Sequence, residues 1–390
     1  MTHSDKKIKV LHISEAAGGV ERYLVTLLRK LSGNREFEHV LVCPENFDTK
    51  KFSGIANACI CIKELQHEIR PKQDIAAIRD IRKVIRDQNP DIVYFHSSKA
   101  GAVGRIADFG FKNIKIYNAH GWSFNMRSIG KMKRLFYVLV EKLLAPLADR
   151  IICISKYEKN SALENKICKA NKLTVIRSGI ELEQAELHTK QAETPAEKRS
   201  CREALGIPKD AVIVGTIGRL SEQKSPDTFV RVAKEISRNH DNVYFVMVGD
   251  GSLRDETQKL IDQMELSERF RITGWVDDPL EYAADFDVAV LLSRWEGFGL
   301  VLPEYMMMGK PIVATNADAI PEVVGKAGMI ADVDDVDMIT SKICEIIDHP
   351  KIGKKLVEEG SRRIKLFDAV HMAEKHSELF RRMVKRGKGK

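Results

Sequence analysis

The stretch VAVLLSRWEGFGLVLPE, Val288–Glu304, joins an apolar run to two glycines, a proline and two glutamates. Val288–Leu292 is short, continuous and rich in β-branched residues, the pattern of a strand buried on both faces of a parallel sheet. Gly297 and Gly299 let the chain bend off that strand, and Pro303 suits the first turn of a helix, where its missing N–H would be unpaired anyway. The reading is strand, turn, helix, and it predicts that the amides of Phe298, Gly299, Leu300 and Val301 form a nest for an anion. Glu304 has an ordinary role available in pairing with the helix dipole, worth at most about 1 kcal/mol. Glu296 has none, because it precedes the helix at a strand tip.

The same pattern recurs along the chain in two series. The first comprises Ile8–Ile13, Val40–Cys43, Ile92–His96, Ile114–Ala119, Ile151–Ile154 and Leu173–Ile176. The second comprises Val212–Ile217, Tyr244–Val248, Phe270–Thr273, Val288–Leu292, Pro311–Ala314 and Met329–Ala331. Helical spacing lies between them: Val20, Leu24, Leu27, Leu28 and Leu31 make one face, and Ile75, Ile78, Ile81 and Ile85 another. Strand alternating with helix, twice over, predicts two doubly wound α/β domains. The expected boundaries are residues 1–178, a linker over 179–207, a second domain over 208–367, and a final segment 368–390. The linker holds the polar run Glu181–Lys190 and a short helix capped by Thr194, Pro195 and Glu197 and ended by Gly206 and Pro208. The last helix, Asp368–Val384, has no strand after it and is expected to cross back to the first domain. Ligands of open parallel sheets bind beyond the carboxyl ends of the strands, so a cleft between two such domains is the expected binding place.

Composition narrows the class. With 44% apolar and 30% charged residues, the 390-residue chain has the balance of a soluble globular protein. The first residues lack the apolar core of a secretory signal, and no apolar run approaches the roughly 20 residues of a membrane span. Seven scattered cysteines, with only Cys59-x-Cys61 close in sequence, form neither a disulfide framework nor a zinc pattern, which points to the reducing cytosol. A net charge of +8 invites an anionic partner. No nucleic-acid motif accompanies it, leaving a phosphorylated small molecule or an anionic membrane surface.

Further motifs follow the predicted strands. Gly18-Gly19-Val20, after Ala16-Ala17, is either a plain strand-to-helix turn or a backbone approach to a ligand at a helix amino end. Asn118-Ala119-His120-Gly121-Trp122 puts a histidine at a strand end, where it is structural, or donates to a sugar hydroxyl or phosphate, or buffers a proton. His96-Ser97-Ser98-Lys99-Ala100-Gly101 is similar, and His96, Ser97 and Lys99 suit an acceptor pocket. In Gly218-Arg219-Leu220-Ser221-Glu222-Gln223-Lys224 the two cations are either a solvated charged turn or a clamp for a diphosphate, the arginine as a fork and the lysine as a point charge. Gly249-Asp250-Gly251-Ser252 marks a tight turn. Asp332-Val333-Asp334 and Asp335-Val336-Asp337 match a metal-holding D-x-D pattern, but they precede a helix and are explained as helix-start carboxylates.

In this order, with G-G-V near the start, G-R-L-x-x-x-K later and E-G-F-G-L-x-x-x-E last, the chain resembles a GT-B-fold retaining glycosyltransferase of the family 4 group over nearly its whole length. The resemblance implies a nucleotide-sugar donor, a UDP-sugar above all, and a reaction needing no metal or other cofactor. It places Gly18 and Gly19 against the donor diphosphate and Arg219 and Lys224 on that diphosphate as it leaves. It puts Glu296 on the donor sugar's hydroxyls, the backbone around Gly299–Val301 on phosphate or sugar, Glu304 on the ribose and His120 facing the transferred sugar. Gly-Gly-Val-Glu-Arg-Tyr and His-Ser-Ser-Lys-Ala-Gly look most like bacterial enzymes that build exopolysaccharide or capsule units on a polyprenyl-diphosphate lipid. At the hinge, Ser178-Gly179-Ile180-Glu181 departs from the common Asn-Gly-hydrophobic-Asp. A lipid acceptor would draw on the basic charge: Lys131, Lys133 and Arg134 flank Met132, Leu135, Phe136, Leu139 and Leu143, and Arg381-Arg382-Met383-Val384-Lys385-Arg386 adds cations. The alternative is a helix packed on its own sheet and a solvated tail. A nucleotide-sugar epimerase of the same fold and a catalytically silent sugar-nucleotide-binding subunit are the rival functions.

Overall fold

The computed structural model describes residues 6–15, 18–66, 68–183 and 201–387. The chain divides into two compact units, Met1–Gly179 with Ala369–Lys390, and Ile180–Asp368. Apart from Gly179, the described part of the expected linker therefore belongs to the second unit, whose Ile180 N–H donates to the Phe367 carbonyl at 2.8 Å. Thr194, Pro195 and Glu197 lie outside the described residues.

The first unit is built on seven parallel strands in the order β3-β2-β1-β4-β5-β6-β7. They are β1 Ile8–Ile13, β2 Phe37–Cys43, β3 Ala58–Cys61, β4 Ile92–His96, β5 Ile114–Asn118, β6 Arg150–Cys153 and β7 Leu173–Val175. Strand β3 has no counterpart among the expected runs. It is a four-residue edge strand, ACIC, with no fully buried side chain, so it needs none of the continuous apolar character of a central strand. The helices are α1 Gly19–Leu31, α2 Pro71–Gln88, α3 Ser98–Ala107, α4 Lys131–Leu144 and α5 Lys156–Glu164. In α2 the buried residues are Ala77, Ile81 and Ile85, whereas Ile75 is 70% exposed. At 3.6 residues per turn Ile75 falls about a third of a turn away from that stripe.

Helix α4 faces the opposite way from an ordinary amphipathic helix. Only Val138 and Glu141 are buried, while Met132, Leu135, Phe136, Leu139 and Leu143 are all exposed. A polar anchor holds it: Glu141 pairs with Arg105 of α3 at 2.9 Å and accepts from the Tyr117 hydroxyl at 2.6 Å. The Arg105 guanidinium also lies 3.9 Å from the Tyr117 ring centroid. Gly101 makes this packing possible, since a Cβ there would stand 2.2 Å from the Tyr117 ring.

The second unit has six parallel strands in the order β10-β9-β8-β11-β12-β13. They are β8 Val212–Ile217, β9 Val243–Val248, β10 Phe270–Ile272, β11 Val288–Leu291, β12 Ile312–Thr315 and β13 Gly328–Ala331. Its helices are α6 Cys201–Ala204, α7 Pro226–Ile236, α8 Arg254–Gln263, α9 Pro279–Ala283, α10 Val301–Met307, α11 Ile320–Val324, α12 Val336–Asp348 and α13 Pro350–Arg363. The strand order reverses between β8 and β11, the switch point at which doubly wound sheets place their ligands. The last helix, α14 Ala369–Gly387, belongs to the first unit, where Phe380 meets the Phe37 ring edge-on at 5.8 Å.

Candidate functional site

In the second unit the loops that follow β8 and β11 lie side by side. After β8 come Gly218, Arg219 and a single 3₁₀ turn, Glu222–Lys224, while Glu296 follows β11. Lys224 Nζ forms an ion pair with Glu296 Oε2, both groups being mostly shielded from water. Ser293 Oγ also donates to that carboxylate at 3.3 Å. Arg219, by contrast, is exposed.

The two loops are held by contacts that motif reading overlooked. Gln223 Nε2 donates to the Trp295 carbonyl at 3.0 Å, and the Arg294 N–H donates to the Gln223 carbonyl at 2.8 Å. Asp318, with φ 47°, accepts the Glu296 N–H at 3.0 Å and so fixes the backbone that carries the carboxylate. The Gly249-Asp250-Gly251 turn supports the Arg219 loop from the other side. A Cβ on Gly249 would stand 2.2 Å from the Gly218 carbonyl oxygen, and one on Gly251 2.3 Å from that of Leu220. Only glycine allows so close an approach.

Beyond Glu296 the chain turns at Gly299, whose φ of 78° favours glycine. The Leu302 N–H closes the turn onto the Gly299 carbonyl at 2.9 Å. Among the described residues, the amides of Phe298, Gly299, Leu300 and Val301 find no protein acceptor, which fits a nest for an anion. Phe298 itself is buried and meets Phe367 edge-on, so its side chain is structural. Glu304 is buried in the first turn of α10. Tyr305 ties that helix to the sheet by accepting the Ile217 N–H at 2.8 Å.

The aspartates of the D-x-D look-alike have other partners. Asp334 pairs with Arg294 at 2.9 Å, Asp335 caps α12 by accepting the Met338 N–H, and Asp332 accepts from Asn316. Among the described residues no group of three or more His, Cys, Asp or Glu side chains is placed to hold a metal ion.

In the first unit Gly18 and Gly19 open α1 and are exposed, with no atom within 4 Å of a Cβ built at either. Gly18 has φ 75°, which explains glycine there. His120 follows β5 with φ 54°, its N–H held by Asn118 Oδ1 at 3.0 Å. Its Nε2 meets His96 Nδ1 at 3.0 Å, and the Tyr23 ring stands edge-on to it at 4.5 Å. Burial, with the charge of nearby His376, brings its pKa down to about 3. A neutral imidazole at physiological pH is suited to hydrogen bonding, not to buffering a proton.

The three residues expected on the acceptor side all have partners within the first unit. His96 is fully buried, with both ring nitrogens hydrogen-bonded to other histidines. Ser97 is also buried; it donates to Glu15 at 2.7 Å and caps α3. Lys99 pairs with Asp74 of α2 at 2.6 Å. All three are engaged by the scaffold of the unit. Glu15, buried just after β1, was not singled out in the sequence, although a carboxylate directly after a buried strand is itself a signal.

This arrangement puts an exposed guanidinium, an ammonium with donors to spare, unpaired amides and a positioned carboxylate around one strand-order switch point. That set matches a bound anion joined to a hydroxylated group. The Glycosyl transferases group 1 family matches residues 197–363, and Glycosyltransferase Family 4 matches residues 17–184. An uncharacterized 41.2 kDa protein of the cps region of Klebsiella pneumoniae is 30% identical over 358 residues, 87% of this chain and 89% of that one. The chain belongs to glycosyltransferase family 4. This transferase is also 26% identical over 392 residues, 98% of each chain, to the UDP-Gal:α-D-GlcNAc-diphosphoundecaprenol α-1,3-galactosyltransferase of Escherichia coli. Its fold is that of the GT-B glycosyltransferases: sucrose-phosphate synthase from Thermosynechococcus elongatus superposes with a TM-score of 0.82 at 20% identity, over 97% of this chain and 100% of that one.

Proposed function

We propose that this transferase moves a hexose or N-acetylhexosamine from a UDP-sugar to a polyprenyl-diphosphate-linked or saccharide acceptor, with retention and without a metal ion, in building a cell-surface polysaccharide. The observation that carries the reading is the Lys224–Glu296 pair beside Arg219 at the switch point of the second unit. Cleaving the sugar–diphosphate bond puts negative charge on the leaving oxygen and positive character on the sugar carbon. Lys224 and Arg219 would meet the first, and Glu296 would orient the sugar through its hydroxyls. With attack from the leaving-group side, the acceptor hydroxyl passes its proton to the departing phosphate oxygen, so no protein nucleophile is required. Glu304 is assigned to the ribose, and Gly18, Gly19 and the amides of Phe298–Val301 to the diphosphate end. The E. coli relative's donor and lipid-linked acceptor support this choice of substrates.

The test is transfer from UDP-sugars to a polyprenyl-diphosphate sugar, with and without chelator, followed by product extension on the lipid. Extension that survives the chelator is expected. A sugar isomerised with donor alone, and no extension, would make the protein an epimerase.

The outward face of α4 supports attachment to the cytoplasmic surface of a membrane. Among the described residues no helix is long and apolar enough to cross one. Met132, Leu135, Phe136, Leu139 and Leu143 are exposed, with Lys131, Lys133 and Arg134 exposed on the same helix. An apolar stripe edged by cations suits an anionic bilayer, each cation adding about 1 kcal/mol near the surface. The full chain should therefore co-sediment with phosphatidylglycerol-containing vesicles and not with neutral ones. The triple variant Leu135→Ser, Phe136→Ser, Leu139→Ser should lose that binding while melting unchanged. Equal binding by variant and parent would remove this face from the account.

A further inference from the structure

Four histidines stand in a row across the first unit. Their strands, β2, β1, β4 and β5, are consecutive neighbours in the sheet. His39 lies opposite Val10, His12 opposite Tyr94, and His96 opposite Asn118. Residues two apart on a strand share a face, so each histidine sits on the face of the last and two residues further along. The row climbs diagonally towards the carboxyl end of the sheet and ends at His120, two residues past β5. His39, His12 and His96 are buried, and His120 alone is partly exposed.

The ring nitrogens meet in one repeating sense. His39 Nδ1 lies 3.0 Å from His12 Nε2, His12 Nδ1 lies 3.2 Å from His96 Nε2, and His96 Nδ1 lies 3.0 Å from His120 Nε2. A neutral imidazole carries one N–H and one lone pair, so choosing one ring's tautomer dictates the other three. With every proton on Nδ1, the free ends are a lone pair at His39 Nε2 and an N–H at His120 Nδ1. With every proton on Nε2, the free ends are an N–H at His39 Nε2 and a lone pair at His120 Nδ1. His39 Nε2 is buried and has no hydrogen-bond partner among the described residues. A buried N–H without an acceptor is the rarer and costlier orphan, which selects the first register.

We propose that this file holds His120 as the neutral Nδ1–H tautomer, so that His39, His12 and His96 are positioning residues that make its outer nitrogen a hydrogen-bond donor and deny it the role of a base. The groups flanking the row agree. His376 of α14 donates from Nδ1 to the Met372 carbonyl at 2.7 Å, leaving its Nε2 to accept from the Tyr23 hydroxyl at 2.9 Å. Tyr94 packs beside His96 with ring centroids 4.0 Å apart. Among the described residues, the titratable groups facing the row are thus Tyr23, Tyr94 and His376, with Glu158 acting on the two tyrosines. Burial holds all four histidines below the ordinary range, which keeps the file neutral. The nitrogens face one another in sequence and not a common point, so the row is no metal site. What the donor serves rests on the transferase reading: an N–H can hold a sugar or phosphate oxygen but cannot take the acceptor's proton.

The test is two-bond ¹H–¹⁵N spectroscopy of the full chain labelled with ¹⁵N-histidine near neutral pH. His120→Gln identifies the His120 signals by their loss. The expected result is an Nδ1–H pattern for His120 that stays unchanged as the pH is lowered to about 6, where a free imidazole is already largely protonated. His96→Leu, which removes the donor to His120 Nε2, should free the ring to exchange tautomers and titrate. His96→Asn, which keeps a donor near the Nδ1 position, should preserve the pattern. An Nε2–H pattern in the parent overturns the proposal, and so does an identical His120 pattern in the leucine and asparagine variants. If His96→Leu does not fold, the parent and His96→Asn spectra still decide. These spectra require no sugar transfer, so their outcome is separate from that of the transferase assay.

Discussion

Lys224→Ala lowers kcat/KM for sugar transfer by about 10²–10³ in a protein that still folds, if the ammonium stabilises the leaving diphosphate as proposed. The group is fixed in advance. Its turn is tied to Trp295 and Arg294 through Gln223, and its ammonium already rests on Glu296. A donor held in place needs no reorganisation as charge develops, which is why the loss is expected in kcat as well as in kcat/KM. Arg219→Ala should act in the same direction. Its side chain is exposed, so removing it leaves no buried orphan and the fold is untouched. Initial rates of UDP release with acceptor present, alongside a melting curve for each variant, measure both effects. Rates within about threefold of the parent for a folded Lys224→Ala would return this loop to the status of a charged turn.

Acid unfolds the first unit before the second. His12, His39, His96 and His376 are all buried in the first unit, and burial depresses the pKa of each, to about 4 for His39 and His376. The same side chains in the unfolded chain take up protons near pH 6.5. Below that pH the unfolded state binds more protons than the folded one, so stability falls as pH falls, by about 1.4 kcal/mol per pH unit for each group. The loss continues to the folded pKa, about 4 for His39 and His376. All four groups act in the same direction, so the loss of stability falls on the first unit. Hydrogen exchange corrected for intrinsic rates should show peptides from β1, β2 and β4 losing protection between pH 6 and 4 while those from β8 and β11 keep it. Simultaneous loss in both units, or none in the first, would contradict this account.

Much of this was legible in the order of residues. Continuous Val- and Ile-rich runs identify strands covered on both faces, because a central parallel strand meets apolar neighbours on both sides. All six strands of the second unit were expected, and the site loops follow β8 and β11 as their glycines and charges indicate. Edge strand β3 escaped because an edge position relaxes that demand. The partner of Lys99 was hidden for a different reason. A lysine at a strand end looks available until α2 supplies Asp74, and nothing local announces that partner.

Residue order alone was enough to settle strand against helix, the two doubly wound units and the charged turns at strand ends, because these depend on periodicity and backbone chemistry within a few residues. Tertiary structure decided which way a stripe faces and which polar groups meet. Helix α4 has an apolar stripe in any setting, but the buried Arg105–Glu141 pair turns that stripe outward. His12, His39, His96 and His120 are separate residues in the chain and become one file only when β2, β1, β4 and β5 align. Hydrogen bonds between distant residues have no sequence period, so their pairing follows from strand order and register, which the whole fold sets.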